Sequence, residues 1–281
     1  MIKRSGGYLK ARSEPSSVAA LQLEQQGYSL QPGVFSLEQV TDLAEEIENV
    51  FKQYPADNRG NKLPEANEMF RYEMLNRSLA CQRAVEHEGI LSVIEPLLGE
   101  DCHVIANTAW QNPPSGNNLH GGEAWHIDAG PHIPLPEGVS WPADIPHPVF
   151  AVGVHIFLRP CRLEDGPTGV IPGSHLSGLF PPKHRIKDDQ LTFNGQGVVP
   201  ILAQPGDVSF FVSDVWHRRL PTQPGDQGRF FLQVHYGRRD IAQRLRPALQ
   251  SNQLSSQAIK HADTRRRKTV IGLHAPFFYD G

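Results

Sequence analysis

The chain has 281 residues, 39% of them hydrophobic and 20% charged, with a formal net charge of −3 and a pI near 6.5. That balance describes an ordinary globular protein, neither disordered nor fibrous. It offers no electrostatic footprint for nucleic acid or for an anionic membrane surface.

The length suits one large domain, and a single domain over 1–281 is the expectation. No stretch approaches the length of a membrane span, and the first 17 residues lack an apolar signal-peptide core. Cys81, Cys102 and Cys161, odd in number and far apart, read as reduced thiols, so a cytoplasmic setting is expected.

In chain order, residues 1–100 read as mostly helical. A helix over 17–26 stops at Gly27. A second helix starts at Ser36, where Gln39 completes a capping box. Val40, Leu43, Ala44, Ile47, Val50 and Phe51 then follow helical spacing. Weaker helical patterns cover 78–87 and 89–98, the latter stopped by Gly99. From His103 the texture changes to short apolar runs punctuated by Gly, Pro and Asn: VIANTAW, PVFAVGVHIFL, GVIPG, GVVPILA, DVSFFVS and RFFLQVHY. Such runs indicate the strands of a sandwich or barrel. The predicted fold is therefore mainly β with N-terminal helices: a double-stranded β-helix, or jelly roll, over 101–240. A C-terminal extension follows over 241–281. The basic run Arg265–Lys268 reads as a solvated patch.

One short stretch carries chemistry. In AWHIDAGPH (124–132), strand periodicity puts His126 and Asp128 on one face and Ile127 on the other. An imidazole beside a carboxylate is half of a site for a metal such as ferrous iron; taken alone, an ordinary hydrogen bond is the cheaper reading. PGDVSFFVSDVWHRRLP (205–221) opens with a turn, runs as an apolar strand and delivers His217 at its end. Twelve residues later Arg229 begins another strand, where its planar fork could hold a carboxylate or merely edge a sheet.

These residues resemble the phytanoyl-CoA dioxygenase family of iron(II)- and 2-oxoglutarate-dependent oxygenases. The matching motifs are WHID at 125–128, DGPT at 165–168, IPGSH at 171–175 and PGD at 205–207, with His217, Arg229 and the segment 27–47. The resemblance implies a cupin-like jelly roll that uses Fe(II), with 2-oxoglutarate and O2 as cosubstrates. It implies His126, Asp128 and His217 as metal ligands and Arg229 as the partner of the distal carboxylate of 2-oxoglutarate, with Arg218, Arg219 and Arg238 as alternatives. Thr168 resembles a hydroxyl donor near the cosubstrate, and Asn107 and Gln111, on one strand face, could also reach it. Relatives that transfer halide lack the carboxylate ligand, so Asp128 favours hydroxylation of an unactivated C–H bond, with desaturation and ring closure left open.

His120, His132, Trp125, Trp141 and Trp216 lie near the expected mouth, and the proline-rich stretch 131–148 reads either as a lid or as a stiff surface crossing. His175 reads as turn chemistry and stays outside the metal site. The expected partner is a small molecule; its identity and the oligomeric state are not legible. Two rivals share the fold: a cupin-like metal isomerase or cosubstrate-free dioxygenase, and a non-catalytic binding module.

Overall fold

The computed structural model describes residues 2–5, 8–11, 17–56, 68–241 and 254–274. A small hairpin, Ile2–Ser5 (β1) with Tyr8–Ala11 (β2), precedes helix Val18–Gln26 (α1). Gly27 closes α1 in the left-handed conformation, at φ 79°, its N–H donating to the Leu23 carbonyl. Strand Tyr28–Gln31 (β3) leads to helix Leu37–Gln53 (α2). The Ser36–Gln39 capping box forms in both directions, at 3.2 and 2.8 Å. Strand Phe70–Tyr72 (β4) follows, then helices Met74–Arg77 (α3), Leu79–Ala84 (α4) and Glu88–Leu98 (α5). The N-terminal part is thus less purely helical than its sequence suggests. Strands β3 and β4, of four and three residues, are too short to show a period of two, yet they form both edges of the main sheet.

That sheet has six strands in the order β3-β9-β6-β11-β5-β4, every pairing antiparallel. Its long members are His103–Asn112 (β5), Ala151–Phe157 (β6), Val208–Val212 (β9) and Arg229–Gly237 (β11). A smaller sheet, in the order β10-β7-β8, faces it, built from Thr168–Val170 (β7), Val199–Pro200 (β8) and His217–Arg219 (β10). Two facing antiparallel sheets make the expected jelly roll.

Strand alternation sorts the side chains between two environments. On β11, Phe230, Leu232, Val234 and Tyr236 join Leu23, Leu43, Ile47, Ile90 and Ile94 in the core beneath the helices. Arg229, Phe231, Gln233 and His235 face a cavity between the sheets. The C-terminal part is no loose extension: from helices Ser256–His261 (α6) and Arg265–Val270 (α7), Val270 enters the main core, with Ala262 and Ile271 beside them. Nor is the basic run simply solvated. Arg266 pairs with Glu95, and Arg267 with Glu86 and Asp263.

The stretch 131–148 is docked away from the cavity. His132 Nδ1 lies 2.6 Å from Asp214 Oδ1, and its ring stacks on Phe150. Leu135 N donates to the Gly178 carbonyl, and Trp141 Nε1 to that of Ile145. No residue between 129 and 150 lines the cavity, an arrangement that matches the surface-crossing reading of this stretch.

Behind it His175 is buried, with Nε2 2.9 Å from the Glu24 carbonyl. Burial pulls its pKa from 6.5 down to about 4. The unfolded chain therefore takes the proton first, and stability falls as pH drops from about 6.5 towards 4. The full effect is about 3 kcal/mol. Urea titrations at pH 7 and pH 4 should show this loss, and His175→Gln should show a smaller one.

Candidate metal centre and anion pocket

His126 meets the small sheet through a single bridge to His217, the two exchanging backbone hydrogen bonds of 3.0 Å. Two residues on, Asp128 N donates to the Ser213 carbonyl at 3.0 Å. The HID segment is therefore one rung rather than the strand expected. The apolar run also differs from expectation: β9 ends at Val212, a turn over 213–216 crosses between the sheets, and His217 begins β10.

The three side chains converge, with one candidate ligand atom from each lying within 4.8 Å of the others. Backbone carbonyls set both imidazoles. His126 Nδ1–H donates to Ala124 O at 2.8 Å and His217 Nδ1–H to Val215 O at 2.9 Å. Each Nε2 is thereby left as an acceptor, the form a metal requires. Asp128 is oriented by a residue that the sequence reading missed, His235 on β11, whose Nε2 is 2.7 Å from Asp128 Oδ2. Asp128 Oδ1 lies 3.6 Å from His217 Nε2.

The electrostatics couple the three groups, and a metal would have to displace the proton that Asp128 favours on His217. Burial would raise the Asp128 pKa, but His217 and His235 hold it well below the usual carboxylate range. Burial would lower that of His217; the Asp128 carboxylate outweighs this and raises it. His126 is lowered by burial and by His217. With its Nε2 on Asp128 Oδ2, His235 would act on a bound metal through that carboxylate. His235→Ala is expected to weaken metal affinity about 10- to 100-fold, the usual cost of losing such a support, as isothermal titration would show.

The cavity, of about 440 Å³, extends both ways from this cluster. The β11–β5 register pairs His235 with Ala106 and Arg229 with Asn112, so the two ends lie at opposite ends of the strands. Towards Arg229 the lining is His155, Phe231, Trp110, Thr168 and Arg219; beyond His235 it is Val104, Ile105, Leu75, Asn76 and Leu254. Asn76 Oδ1 accepts from Ser255 N, tying α3 to the segment that carries Leu254.

Arg229 is buried, its Nε donating to Asn112 Oδ1 at 3.2 Å. Burial, with the positive charge of Arg219 beside it, lowers its pKa to about 9. His155 is kept neutral by burial and by Arg229. Gly228 sets the approach of Arg229: it sits at φ 79°, and a Cβ there would collide with the Asn112 carbonyl. Gly228→Ala is expected to cost about 1–3 kcal/mol in chemical denaturation.

Of the other candidates, Thr168 lines the cavity, opposite Arg219 in the β7–β10 register. Asn107 and Gln111 share a face by alternation, but only Asn107 reaches the cavity. Register puts Asn112, Trp110, Thr108 and Ala106 on the side of Arg229 and His235, and Gln111 opposite Phe230. Asn107 borders the cavity, with its amide donating to the Gln233 carbonyl. The amide that reaches Arg229 is Asn112.

Trp125 and Trp216 are corrected too. They pack with Ile171 and Leu191 in a separate apolar cluster, their indole N–H groups donating to Asp188 O and Leu179 O. Trp141 and His132 belong to the docked crossing, and His120 Nδ1 accepts from Gly122 N. Arg218 points away from the metal, stacking on Trp125 and pairing with Asp189. Arg238 pairs with Asp240.

The fold has parallels among known proteins. A family model described as phytanoyl-CoA dioxygenase (PhyH) matches residues 23–221. No curated protein matches the sequence significantly. Among solved structures, EctD from S. alaskensis with bound Fe aligns at TM-score 0.64 and 20% identity, over 88% of this chain and 81% of that one. SnoN, a non-heme α-ketoglutarate-dependent epimerase from nogalamycin biosynthesis, aligns at 0.57 and 18%, over 78% and 81%. HygX from Streptomyces hygroscopicus with nickel and 2-oxoglutarate bound aligns at 0.57 and 17%, over 82% and 90%. At these identities the likeness shows a shared fold.

Proposed function

The chain belongs to the phytanoyl-CoA dioxygenase family, and on that premise we propose that it is an iron(II)- and 2-oxoglutarate-dependent oxygenase that hydroxylates a small molecule. One observation carries the reading: the His126–Asp128–His217 cluster shares a cavity with the buried guanidinium of Arg229. The donor set fits a divalent metal. Two neutral imidazoles and one carboxylate suit ferrous iron and leave coordination positions open. The cation at the end of the pocket fits the tail of a dicarboxylate.

When bound, iron would activate O2, which is the oxidant, and 2-oxoglutarate would serve as the co-reductant, being oxidatively decarboxylated to succinate and CO2. The residues of the chain do the rest. His126 and His217 present Nε2 because backbone carbonyls hold their Nδ1 protons. His235 keeps one Asp128 oxygen occupied, directing the other to the metal. Arg229 and Thr168 hold the cosubstrate tail. Phe157, Phe211 and Phe231, packed around His155, keep water from the wall between tail and metal. Leu75, Val104, Ile105 and Leu254 would receive an apolar part of the substrate, and Asn76 a polar group.

An intact carboxylate ligand supports hydroxylation over halide transfer, and Arg229 supports a dicarboxylate cosubstrate over the cosubstrate-free rivals. The three cysteines are free and buried, which supports a reducing, cytoplasmic compartment. No helix among the described residues is long and apolar enough to cross a membrane. The test is a small-molecule screen for succinate release that requires both iron and 2-oxoglutarate, with product mass read in parallel. Substrate-dependent release with gain of one oxygen atom supports hydroxylation. Release without that gain assigns another oxidative outcome, and no metal binding at all sinks the reading.

A further inference from the structure

The arm of the cavity beyond the metal holds two guanidiniums where the sequence motif asks for one. Arg219 and Arg229 come from opposite sheets, β10 and β11, and both line the cavity. Their exposures are only 8% and 7%. Arg219 lies two residues past His217, about 7 Å along the strand, and its register partner is Thr168.

Neither arginine has a carboxylate partner among the described residues. The one side-chain hydrogen bond of Arg229 goes to the neutral Asn112 amide. Arg219 Nε is buried with no acceptor. Glu123 lines the same cavity, but it forms no ion pair with either guanidinium among the described residues. Asp226 is already committed, its two oxygens accepting from the Ser115 and Gly228 backbone N–H groups. Adjacent buried cations without a paired carboxylate are costly, and a fold retains them where a ligand supplies one.

We propose that Arg219 and Arg229 together clasp the distal carboxylate of the cosubstrate, with Thr168 as a third donor, and that the pair opposes folding until that anion is in place. The proposal deepens the reading of the site as a 2-oxo-acid pocket and rests on it. A carboxylate offers about four lone-pair sites. One guanidinium fork fills two, which leaves room for the second arginine and the hydroxyl on the other side. Two cations facing one carboxylate make tail charge the selected feature. A 2-oxo acid of similar length with a neutral tail would leave both guanidiniums buried without a paired carboxylate.

The experiment uses protein loaded with redox-inert zinc, so that binding is read without turnover. Calorimetric titrations with 2-oxoglutarate and with neutral-tailed 2-oxopentanoate are compared for the parent, Arg219→Gln and Arg219→Lys, alongside ligand-free thermal unfolding. The parent should prefer 2-oxoglutarate by about 100-fold or more. Arg219→Gln should lose about 10- to 100-fold in 2-oxoglutarate affinity, with 2-oxopentanoate binding unchanged, and Arg219→Lys should fall between. Ligand-free Arg219→Gln should melt at or above the parent temperature, because one of two repelling cations is gone. An Arg219→Gln protein that binds 2-oxoglutarate like the parent, melts lower or fails to fold overturns the clasp and makes Arg219 a structural residue. If the parent holds zinc but binds neither acid, the cosubstrate reading itself has failed, a result distinct from the others.

Discussion

Asp128→Ala is expected to weaken divalent-metal binding by at least about 100-fold and to abolish turnover. Losing an outer support such as His235 typically costs about 10- to 100-fold, and removal of a ligand should exceed that. Two further effects act in the same direction. The histidines at 126 and 217, with ring centroids 4.4 Å apart, lose the carboxylate that balances them. His235 loses the carboxylate oxygen that its Nε2 bonds. Asp128→Asn separates charge from shape, keeping the volume and the acceptor towards His235 while removing the anion. Calorimetry on chelator-stripped protein reads all three proteins directly. Parent-like metal affinity in Asp128→Ala would mean that the His–Asp pair is the ordinary hydrogen bond its sequence also allows.

Arg229→Ala is expected to fail differently. Metal affinity should stay at the parent level, because Arg229 lies at the far end of β11 from His235 and touches none of the three candidate ligands. Affinity for 2-oxoglutarate should fall by roughly 30- to 1,000-fold, equivalent to about 2–4 kcal/mol, the scale of a lost charge-assisted contact. The variant should remain folded, since the side chain borders open space and makes one side-chain hydrogen bond. Separate titrations of metal and 2-oxoglutarate against Asp128→Ala and Arg229→Ala should therefore give crossed results. A non-catalytic binding module, or an enzyme that needs no such cosubstrate, would not give this crossed pattern.

The sequence was most informative where chemistry is local. HID reads as a metal half-site because two residues of spacing survive even when the strand shrinks to one rung, since the flanking backbone still bonds across to 213 and 217. Arg229 stands at the start of a long, unbroken apolar alternation, so the residues from Phe230 to Tyr236 fix its face. Parity failed where the start of a strand was hidden. HRR at 217–219 presents two arginines, and which one faces inward depends on the turn over 213–216, which composition does not announce. The same uncertainty put Asn107 and Gln111 forward instead of Asn112. Trp125 and Trp216 adjoin the metal residues in sequence, but neighbours on a strand point to opposite faces, and these two serve an apolar cluster behind the site. His155, His235 and Leu254 carried no signal beyond their type, because register with distant segments brings them in.

The three residues of β10 have a consequence for how such a protein can diversify. His217 faces the candidate metal cluster, Arg218 is riveted to Trp125 and Asp189, and Arg219 faces the cavity arm that also holds Arg229. Insertion or loss of a single residue in this strand would exchange its two faces, turning His217 and Arg219 away from the cavity together. Length variation is thus closed to this wall, which can drift only by point replacement. The other end is built differently: a one-turn helix and the segment carrying Leu254 are tied by the hydrogen bond from Ser255 N to the Asn76 side chain. Point changes there would reshape the far arm of the cavity without altering the register that places His217 and Arg219.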